Sequence, residues 1–166
     1  MDLAFIVAIA EIVGTVAVVV SLVYVGVQVS QNTRSTNLAT GQNLSHDLRE
    51  TLAPIYSDSE FAELYLKGMK DVESLTGLER YRVYAYTQST LRAFENVYYH
   101  YRNEAVDAYV WDAFVAYMKF IKGVDCAKAF WRDRQHIFSK DFRDFYNDLS
   151  AADPTIASAP YSESEK

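Results

Sequence analysis

The chain has 166 residues, of which 50% are hydrophobic, and it carries a formal net charge of -6. The apolar share excludes a disordered chain, and the single cysteine excludes a disulfide framework and a cysteine-rich zinc module. The acidic balance argues against a general nucleic-acid-binding protein, so we expect no nucleic acid among the partners. The length allows one domain of ordinary size with an appendage.

The N-terminal stretch 3–29 is the strongest signal in the sequence. Its only ionisable side chains are Glu11 and Tyr24, and it exceeds the roughly 20 residues that a helix needs to cross the hydrocarbon core. A cleaved signal peptide is a poorer explanation, because Asp2 precedes the stretch and no basic residue does. A buried bundle helix is also poorer, since the remaining chain is small. We therefore predict a transmembrane helix at residues 1–30 and a lipid bilayer as partner.

The basic residues near this predicted span all lie on its C-terminal side, beginning with Arg34 and Arg49. Positively charged residues that flank a span tend to remain in the cytoplasm. We therefore expect a single-pass protein whose C-terminal domain is cytoplasmic. The lone Cys126 agrees with a reducing compartment.

Small side chains form one stripe along this helix, at Ala10, Gly14, Ala17 and Ser21. Such a stripe allows a second helix to approach closely, and we predict a membrane-helix interface there, in a homo-oligomer or a larger membrane complex. Glu11 lies beside the stripe, and two interpretations of it stay open. A carboxylate within lipid needs a proton or a partner, whereas a span shifted toward residues 12–29 places Glu11 near the headgroups.

The rest of the chain predicts an all-α domain. Amphipathic periodicity and capping signals indicate helices at residues 33–53, 61–68, 77–102, 108–122, 126–138 and 140–150. The first of these either continues the membrane helix as one long helix or is separated from it by a break in the polar stretch 28–33. No sustained period-two alternation or hairpin dipeptide suggests a strand. We predict a compact bundle of about five helices at 31–150 and a disordered tail at 151–166, which is rich in small and polar residues.

Local signals predict where these helices begin and end. They comprise a proline stop, two capping boxes and three single caps. These are Pro54 for the stop, Ser57 with Glu60 and Thr76 with Glu79 for the boxes, and Asp107, Asp125 and Ser139 for the caps. The helix at 108–122 is apolar on nearly all sides, so we expect it to be the most buried helix of the domain.

Two stretches resemble a large group of uncharacterised bacterial proteins: Ser21–Thr33, SLVYVGVQVSQNT, and Phe94–Arg102, FENVYYHYR. Those proteins carry one N-terminal spanning helix and a small helical domain of unknown function. The resemblance covers most of the chain before the predicted tail. It implies a bacterial inner-membrane protein, and it implies no activity, cofactor or catalytic residue.

The sequence offers little that points to catalysis. His46 and Glu50 lie one turn apart, but they supply too few ligands for a metal. Cys126 is about three turns from His136 on the same predicted helix, so a neutral structural cysteine is the better interpretation. Neither a phosphate-binding glycine loop nor a hydrolase elbow occurs. We predict no metal, no cofactor and no catalytic residue, and an enzyme is the less expected class.

One polar arc of the helix at 77–102 is the most suggestive group in the domain, with Arg92, Glu95, Asn96, Tyr99 and His100. This arc could hold an anion or a partner's charged side chain, with the planar guanidinium of Arg92 as the donor. The alternative is a solvated face that near-neighbour ion pairs such as Arg92 with Glu95 stabilise weakly. We favour the solvated face, because most charge runs on helices are of that kind.

Together these patterns predict a single-span membrane protein that acts by interaction, as an accessory subunit that uses its membrane helix and its helical domain. The alternative is a membrane-tethered enzyme or small-ligand sensor that uses the Arg92–His100 face or a pocket inside the bundle. A concave pocket among those side chains favours the alternative, and a flat face favours the first hypothesis.

Overall fold

The computed structural model describes residues 2–152, apart from the side chains of Phe5 and Ala8. Within these residues all regular elements are helical, which confirms the predicted all-α class. The α-helices are α1 (Leu3–Ser57), α2 (Ser59–Lys70), α3 (Gly77–Arg102), α4 (Ala108–Gly123), α5 (Asp125–Arg134) and α6 (Lys140–Asp148). Short 3-10 turns follow α2 and α5, at Val72–Ser74 and Gln135–Ile137. From residue 153 onward, the predicted tail lies outside the described residues.

The chain divides into two compact units, Met1–Ala39 and Thr40–Lys166. The described part of the first unit consists of the N-terminal part of α1. The second unit combines the C-terminal end of α1 with the five shorter helices. In that end of α1, Leu44 is buried while Leu48, Leu52 and Ile55 pack against the core from its edge.

The core of the second unit is built on the apolar stripe of α3, as the periodicity predicts. Leu91 and Phe94 are fully buried, and Thr90, Val97 and Tyr98 are buried beside them. The two threonine hydroxyls of this core donate to carbonyls of their own helix, Thr87 to Val83 and Thr90 to Tyr86. These bonds satisfy polar atoms whose burial would otherwise be costly.

The most buried helix is α5 rather than α4, so that prediction is wrong. Five of the ten residues of α5 are buried, whereas α4 buries five of its sixteen residues. The reason is position, because α5 packs against α2, α3 and α4. On α4 part of the apolar surface faces outward, and Tyr109 is 87% exposed.

Aromatic side chains hold the helices of this unit together. Tyr101 on α3 stacks on Trp111 of α4 with ring centroids 4.2 Å apart. Trp131 of α5 contacts Tyr146 of α6 at 4.4 Å, and the Trp131 indole N–H donates to Asn147 Oδ1 at 2.8 Å. Such rings bury large apolar areas and add geometric preference to the packing.

Lys122 of α4 closes the C-terminal end of α6. Its ammonium group donates to the carbonyl oxygens of Asn147 at 2.9 Å and Leu149 at 2.6 Å, and also to that of Tyr146. These carbonyls lack partners within their own helix, and the negative end of the helix dipole favours a cation there. Partial burial lowers the pKa of Lys122, so the carbonyl contacts compensate for lost hydration.

The helix ends follow the sequence signals only in part. Thr76 and Glu79 form the predicted capping box: the Thr76 N–H donates to Glu79 Oε2 at 2.7 Å and the Glu79 N–H donates to Thr76 Oγ1 at 3.4 Å. Pro54 does not stop its helix, since α1 continues to Ser57. Only the last turn of α1 follows Pro54. The proline ring therefore disrupts a single backbone hydrogen bond, close to the end of the helix.

Two other predicted caps are wrong. Asp58, not Ser57, is the N-cap of α2, and its side chain accepts the N–H of Phe61 at 3.1 Å. Val124 is the N-cap of α5, whereas the carboxylate of Asp125 accepts the N–H of Val72 at 2.9 Å. Asp125 therefore joins two elements far apart in the sequence instead of capping its own helix.

Gly68 is needed where α2 meets its neighbours, although the sequence suggested it as the end of that helix. It lies inside α2 and is buried. A Cβ atom at this position would lie 3.2 Å from Leu75 Cδ1 and 3.3 Å from Val83 Cγ1. The glycine thus allows a close approach within the core.

Candidate functional site

An open groove lies in the second unit, among the described residues. It has a volume of about 630 Å³ and lies between the C-terminal half of α3 and the start of α6. The α3 side contributes Arg92, Glu95, Asn96, Tyr98, Tyr99 and Arg102, and the residue after it, Asn103, completes this wall. The opposite side is formed by Ser139, Lys140 and Asp141.

Arg92 and Glu95 are fixed by contacts that hold the groove together. The Arg92 Nη1 group donates to Glu95 Oε2 at 2.5 Å, and its Nη2 group donates to the Ile137 carbonyl at 2.7 Å. The guanidinium also lies over the ring of Phe138, 4.5 Å from its centroid. Arg92 therefore attaches α3 to the 3-10 turn before α6, a structural role that the sequence did not indicate.

The second oxygen of Glu95 has a partner as well. Its Oε1 atom accepts the backbone N–H of Ser139, the N-cap of α6, at 2.7 Å. The Ser139 side chain makes no capping bond, so Glu95 supplies the negative charge that favours this helix N-terminus. Both carboxylate oxygens are thus used within the fold.

Arg102 has a different environment from Arg92. Its Nη1 group donates to the Tyr98 hydroxyl at 3.1 Å, and its guanidinium lies 5.9 Å from the centroid of the same ring. In the part of the chain that the structure describes, Arg102 forms no ion pair, whereas Arg92 and Lys140 each pair with a carboxylate. Its orientation is therefore set while much of its donor capacity remains unused.

The structure brings four of the five polar-arc residues predicted from sequence to this groove. Asn96 and Tyr99 line it together with Arg92 and Glu95, and Tyr99 is 63% exposed. His100 lies outside the lining, with its ring against that of Tyr99 at a centroid distance of 5.6 Å. The arc is therefore concave where the preferred hypothesis expected a flat solvated face.

The other residues of the groove are absent from the predicted site. Helical periodicity places Arg102 on the same polar arc of α3 as the named residues, although the predicted site did not include it. Lys140 and Asp141 gave no comparable signal, because they come from a helix nearly 40 positions further on. Only the packing of α6 beside α3 brings them to this surface.

The residues of the predicted membrane-helix interface lie in the exposed N-terminal part of α1. Ala10, Glu11, Gly14, Ala17 and Ser21 are all exposed, and a Cβ atom added at Gly14 would meet nothing within 4 Å. The Ser21 hydroxyl donates to the Ala17 carbonyl at 2.8 Å. This hydroxyl is therefore satisfied within the helix.

The whole apolar part of α1 shares this exposure. By length and composition α1 is able to cross a membrane, with a mean hydropathy of 2.3 in its apolar window and no residue of that window buried. Successive residues Val18, Val19 and Val20 are 59%, 54% and 61% exposed. Because successive residues of a helix point about 100° apart, the exposure includes all sides of the helix.

Nucleophilic and metal chemistry receive no support from the described residues. Cys126 is fully buried, and burial raises the pKa of its thiol to about 11, which keeps it in the weakly nucleophilic neutral form. Among the described residues no group of three or more His, Cys, Asp or Glu is arranged to hold a metal ion.

Comparisons with protein-family models, with curated proteins and with solved structures find no match to this chain. The class defined by the fold is an all-α protein with a long apolar N-terminal helix.

Proposed function

We propose that this chain is a single-span membrane protein whose apolar helix, residues 3–29, crosses the bilayer. The observation that supports the proposal is the exposure of apolar side chains on every side of this helix. Leaving one Val, Leu or Ile side chain in water instead of burying it costs about 1.5–3 kcal/mol. A stretch with so many of them cannot remain exposed in a soluble monomer, and a bilayer covers it on all sides at once.

The two alternatives fit this exposure less well. The core helix of a soluble protein is mostly buried, whereas the apolar window of α1 is 0% buried. A single protein partner covers one face of a helix, which leaves the other sides exposed.

We further propose that the protein acts by interaction, as an accessory subunit. The stripe of Ala10, Gly14, Ala17 and Ser21 would contact another membrane helix, either of a second copy or of a larger complex. Glu11 adjoins this stripe, and a partner there would remove the cost of an unpaired carboxylate in lipid. The positive charges at Arg34 and Arg49 favour a cytoplasmic second unit. The resemblance to uncharacterised bacterial proteins favours the inner membrane.

Membrane fractionation of the full chain in bacterial cells tests the span. We expect the protein in the membrane fraction, resistant to alkaline carbonate and released by detergent. The double variant Val16→Arg/Val20→Arg should lose this association, because each arginine near the middle of a span costs about 2.5–3.5 kcal/mol. The matched control Asn32→Arg/Thr36→Arg, with the same spacing outside the apolar part, should keep it. A soluble, monomeric wild-type chain without detergent would refute the span.

A membrane two-hybrid assay tests the association. Gly14→Leu/Ala17→Leu should lower the signal, because leucines on the stripe prevent close approach of a second helix. Val16→Leu/Val19→Leu, with the same spacing on the opposite side of the helix, should have little effect. Glu11→Leu should leave membrane insertion intact and weaken binding. Unchanged association in the first variant would count against the interface.

The groove supports a second candidate function, that of a membrane-tethered sensor of a small ligand. Its concave form, with Asn96, Tyr99 and Arg102 in the lining, is the feature that favours ligand binding over a flat solvated face. We place the ligand there rather than inside the bundle, whose core is filled by aromatic side chains. Direct binding measurements on the purified protein test this candidate.

A further inference from the structure

The charges around the groove are balanced, although the chain as a whole is acidic. The lining contains three basic residues, Arg92, Arg102 and Lys140, and two acidic ones, Glu95 and Asp141. Lys140 also pairs with Asp144 outside the lining, so these charges together sum to zero in a protein whose formal charge is -6. A region that is less negative than the rest of the protein is more accessible to anions.

One basic residue of the lining, Arg102, has no carboxylate partner. Arg92 and Glu95 neutralise each other at 2.5 Å, and Lys140 pairs with Asp144 at the same distance. Asp141 remains as a negative charge of the rim, and Arg102 is the basic residue of this lining that forms no ion pair among residues 2–152. At the N-terminus of α6, Glu95 already accepts the Ser139 N–H.

The geometry points to a carboxylate on Arg102. One of its terminal nitrogens is held by the Tyr98 hydroxyl, which leaves the other terminal nitrogen and Nε to form a planar pair of donors. A carboxylate accepts two parallel N–H bonds from such a pair. The exposed Asn96 amide lies in the same lining and offers further donors.

We propose that this groove binds a small monocarboxylic acid, with the carboxylate on Arg102 and an apolar or aromatic body against the ring of Tyr99. A single negative charge matches the one guanidinium of the lining that has no carboxylate partner. A phosphate dianion would bring excess negative charge close to Asp141 and Glu95. Tyr99, which is 63% exposed, supplies the flat surface for the ligand body. The inference rests on the second candidate function and is independent of the membrane span.

Calorimetric titration of the full chain in detergent micelles with benzoate tests the proposal, at low salt and with empty micelles as the blank. We expect saturable binding of benzoate, and no binding of benzamide, which has the same shape without the charge. Inorganic phosphate should bind more weakly than benzoate. High salt should weaken the binding of benzoate, since the groove is open to screening ions.

Substitutions then assign the binding to Arg102. Arg102→Gln should weaken benzoate binding about tenfold or more, the effect of losing a charged hydrogen-bonding partner, and Arg102→Lys should recover part of it. Arg49→Gln, at an exposed arginine outside the groove, should leave binding unchanged. Asp141→Asn should tighten it, because it removes the negative charge of the rim, and this gain of affinity cannot result from misfolding.

The possible results distinguish a monocarboxylate site from a ligand site of another kind. Absence of saturable benzoate binding, or equal affinity of wild type and Arg102→Gln, would overturn the monocarboxylate site. Phosphate binding tighter than benzoate binding would also overturn it, while the groove would remain a ligand site in the broader sense. Binding of benzoate that Arg102→Gln weakens and Asp141→Asn strengthens would establish it.

Discussion

The apolar part of α1 and the helix α4 are both rich in apolar residues, yet their surroundings are opposite. In α4 the side chains of Trp111, Phe114, Met118 and Ile121 are buried. In the apolar part of α1 no described side chain is buried. Ten of the 27 residues from Leu3 to Val29 are valine, and two are aromatic. Apolar content alone therefore does not determine which helix enters the core.

The difference lies in the size and reach of the side chains. Aromatic rings extend far from their helix and interlock with rings on several neighbours, as Trp111 does with Tyr98, Tyr101 and Phe145. Valine is short and stiff at χ1, so a valine-rich helix presents a uniform surface with few specific contacts. Such a surface suits lipid, which needs no particular shape. The predictions below test this difference, and where the chain offers a matched position they compare a change in one region with the same change in the other.

Truncating a core side chain should have the largest effect. Phe94→Ala, at a fully buried position of α3, should lower the free energy of unfolding of the second unit by about 3–5 kcal/mol. Leu22→Ala, at a position that is 66% exposed in α1, should leave that free energy unchanged. Denaturant titration in detergent, followed by near-ultraviolet circular dichroism, measures both. A comparable loss in Leu22→Ala would mean that the apolar part of α1 belongs to the core.

Alkaline pH should unfold the second unit selectively. Burial raises the pKa of the Cys126 thiol to about 11 and those of the Tyr84 and Tyr117 hydroxyls to about 12. The unfolded chain releases these protons at lower pH, so the stabilisation is complete below about pH 8.5 and is lost as the pH rises through 11. The thiol alone accounts for about 3 kcal/mol.

Circular dichroism against pH, in detergent, checks this expectation. The near-ultraviolet signal of the packed aromatic residues should disappear as the pH rises through about 11, while far-ultraviolet helicity from the apolar part of α1 persists. Cys126→Ala should move the midpoint to higher pH, because the tyrosine hydroxyls then remain as the titrating groups. A midpoint that is the same in both proteins would exclude the thiol as a cause.

Glycine substitutions should separate the two regions at a smaller scale. Gly68→Leu should destabilise the second unit by about 1–3 kcal/mol, as expected for overpacking, because even a Cβ atom would lie 3.2 Å from Leu75 Cδ1. Gly26→Leu should have no effect on this unit, since a Cβ atom there meets nothing within 4 Å. Thermal unfolding of both variants in the same detergent provides the comparison, and equal midpoints would contradict the close packing at Gly68.

The sequence predicts local features well and long-range contacts poorly. The bounds of α3, its buried stripe and the Thr76–Glu79 box depend on residues a few positions apart, and periodicity and capping signals describe such relations. The bond from Val72 to Asp125 and the pairing of Glu95 with Ser139 connect distant segments. Nothing in the local pattern distinguishes Asp125, which binds another element, from Asp58, which caps its own helix. The groove depends on such a long-range placement, so only its α3 side was predictable from the sequence.

Helix caps provide the smallest expected difference. Thr76→Ala should lower the stability of the second unit by about 1 kcal/mol, because it removes the acceptor of the Glu79 N–H. Ser139→Ala should have little effect, since Ser139 is also an N-cap but its side chain makes no capping bond. The start of α6 depends instead on Glu95, so Glu95→Ala should destabilise the unit where Ser139→Ala does not. Urea titrations of the three variants measure the free energy of unfolding. An effect of Ser139→Ala as large as that of Thr76→Ala would contradict the difference between the two caps.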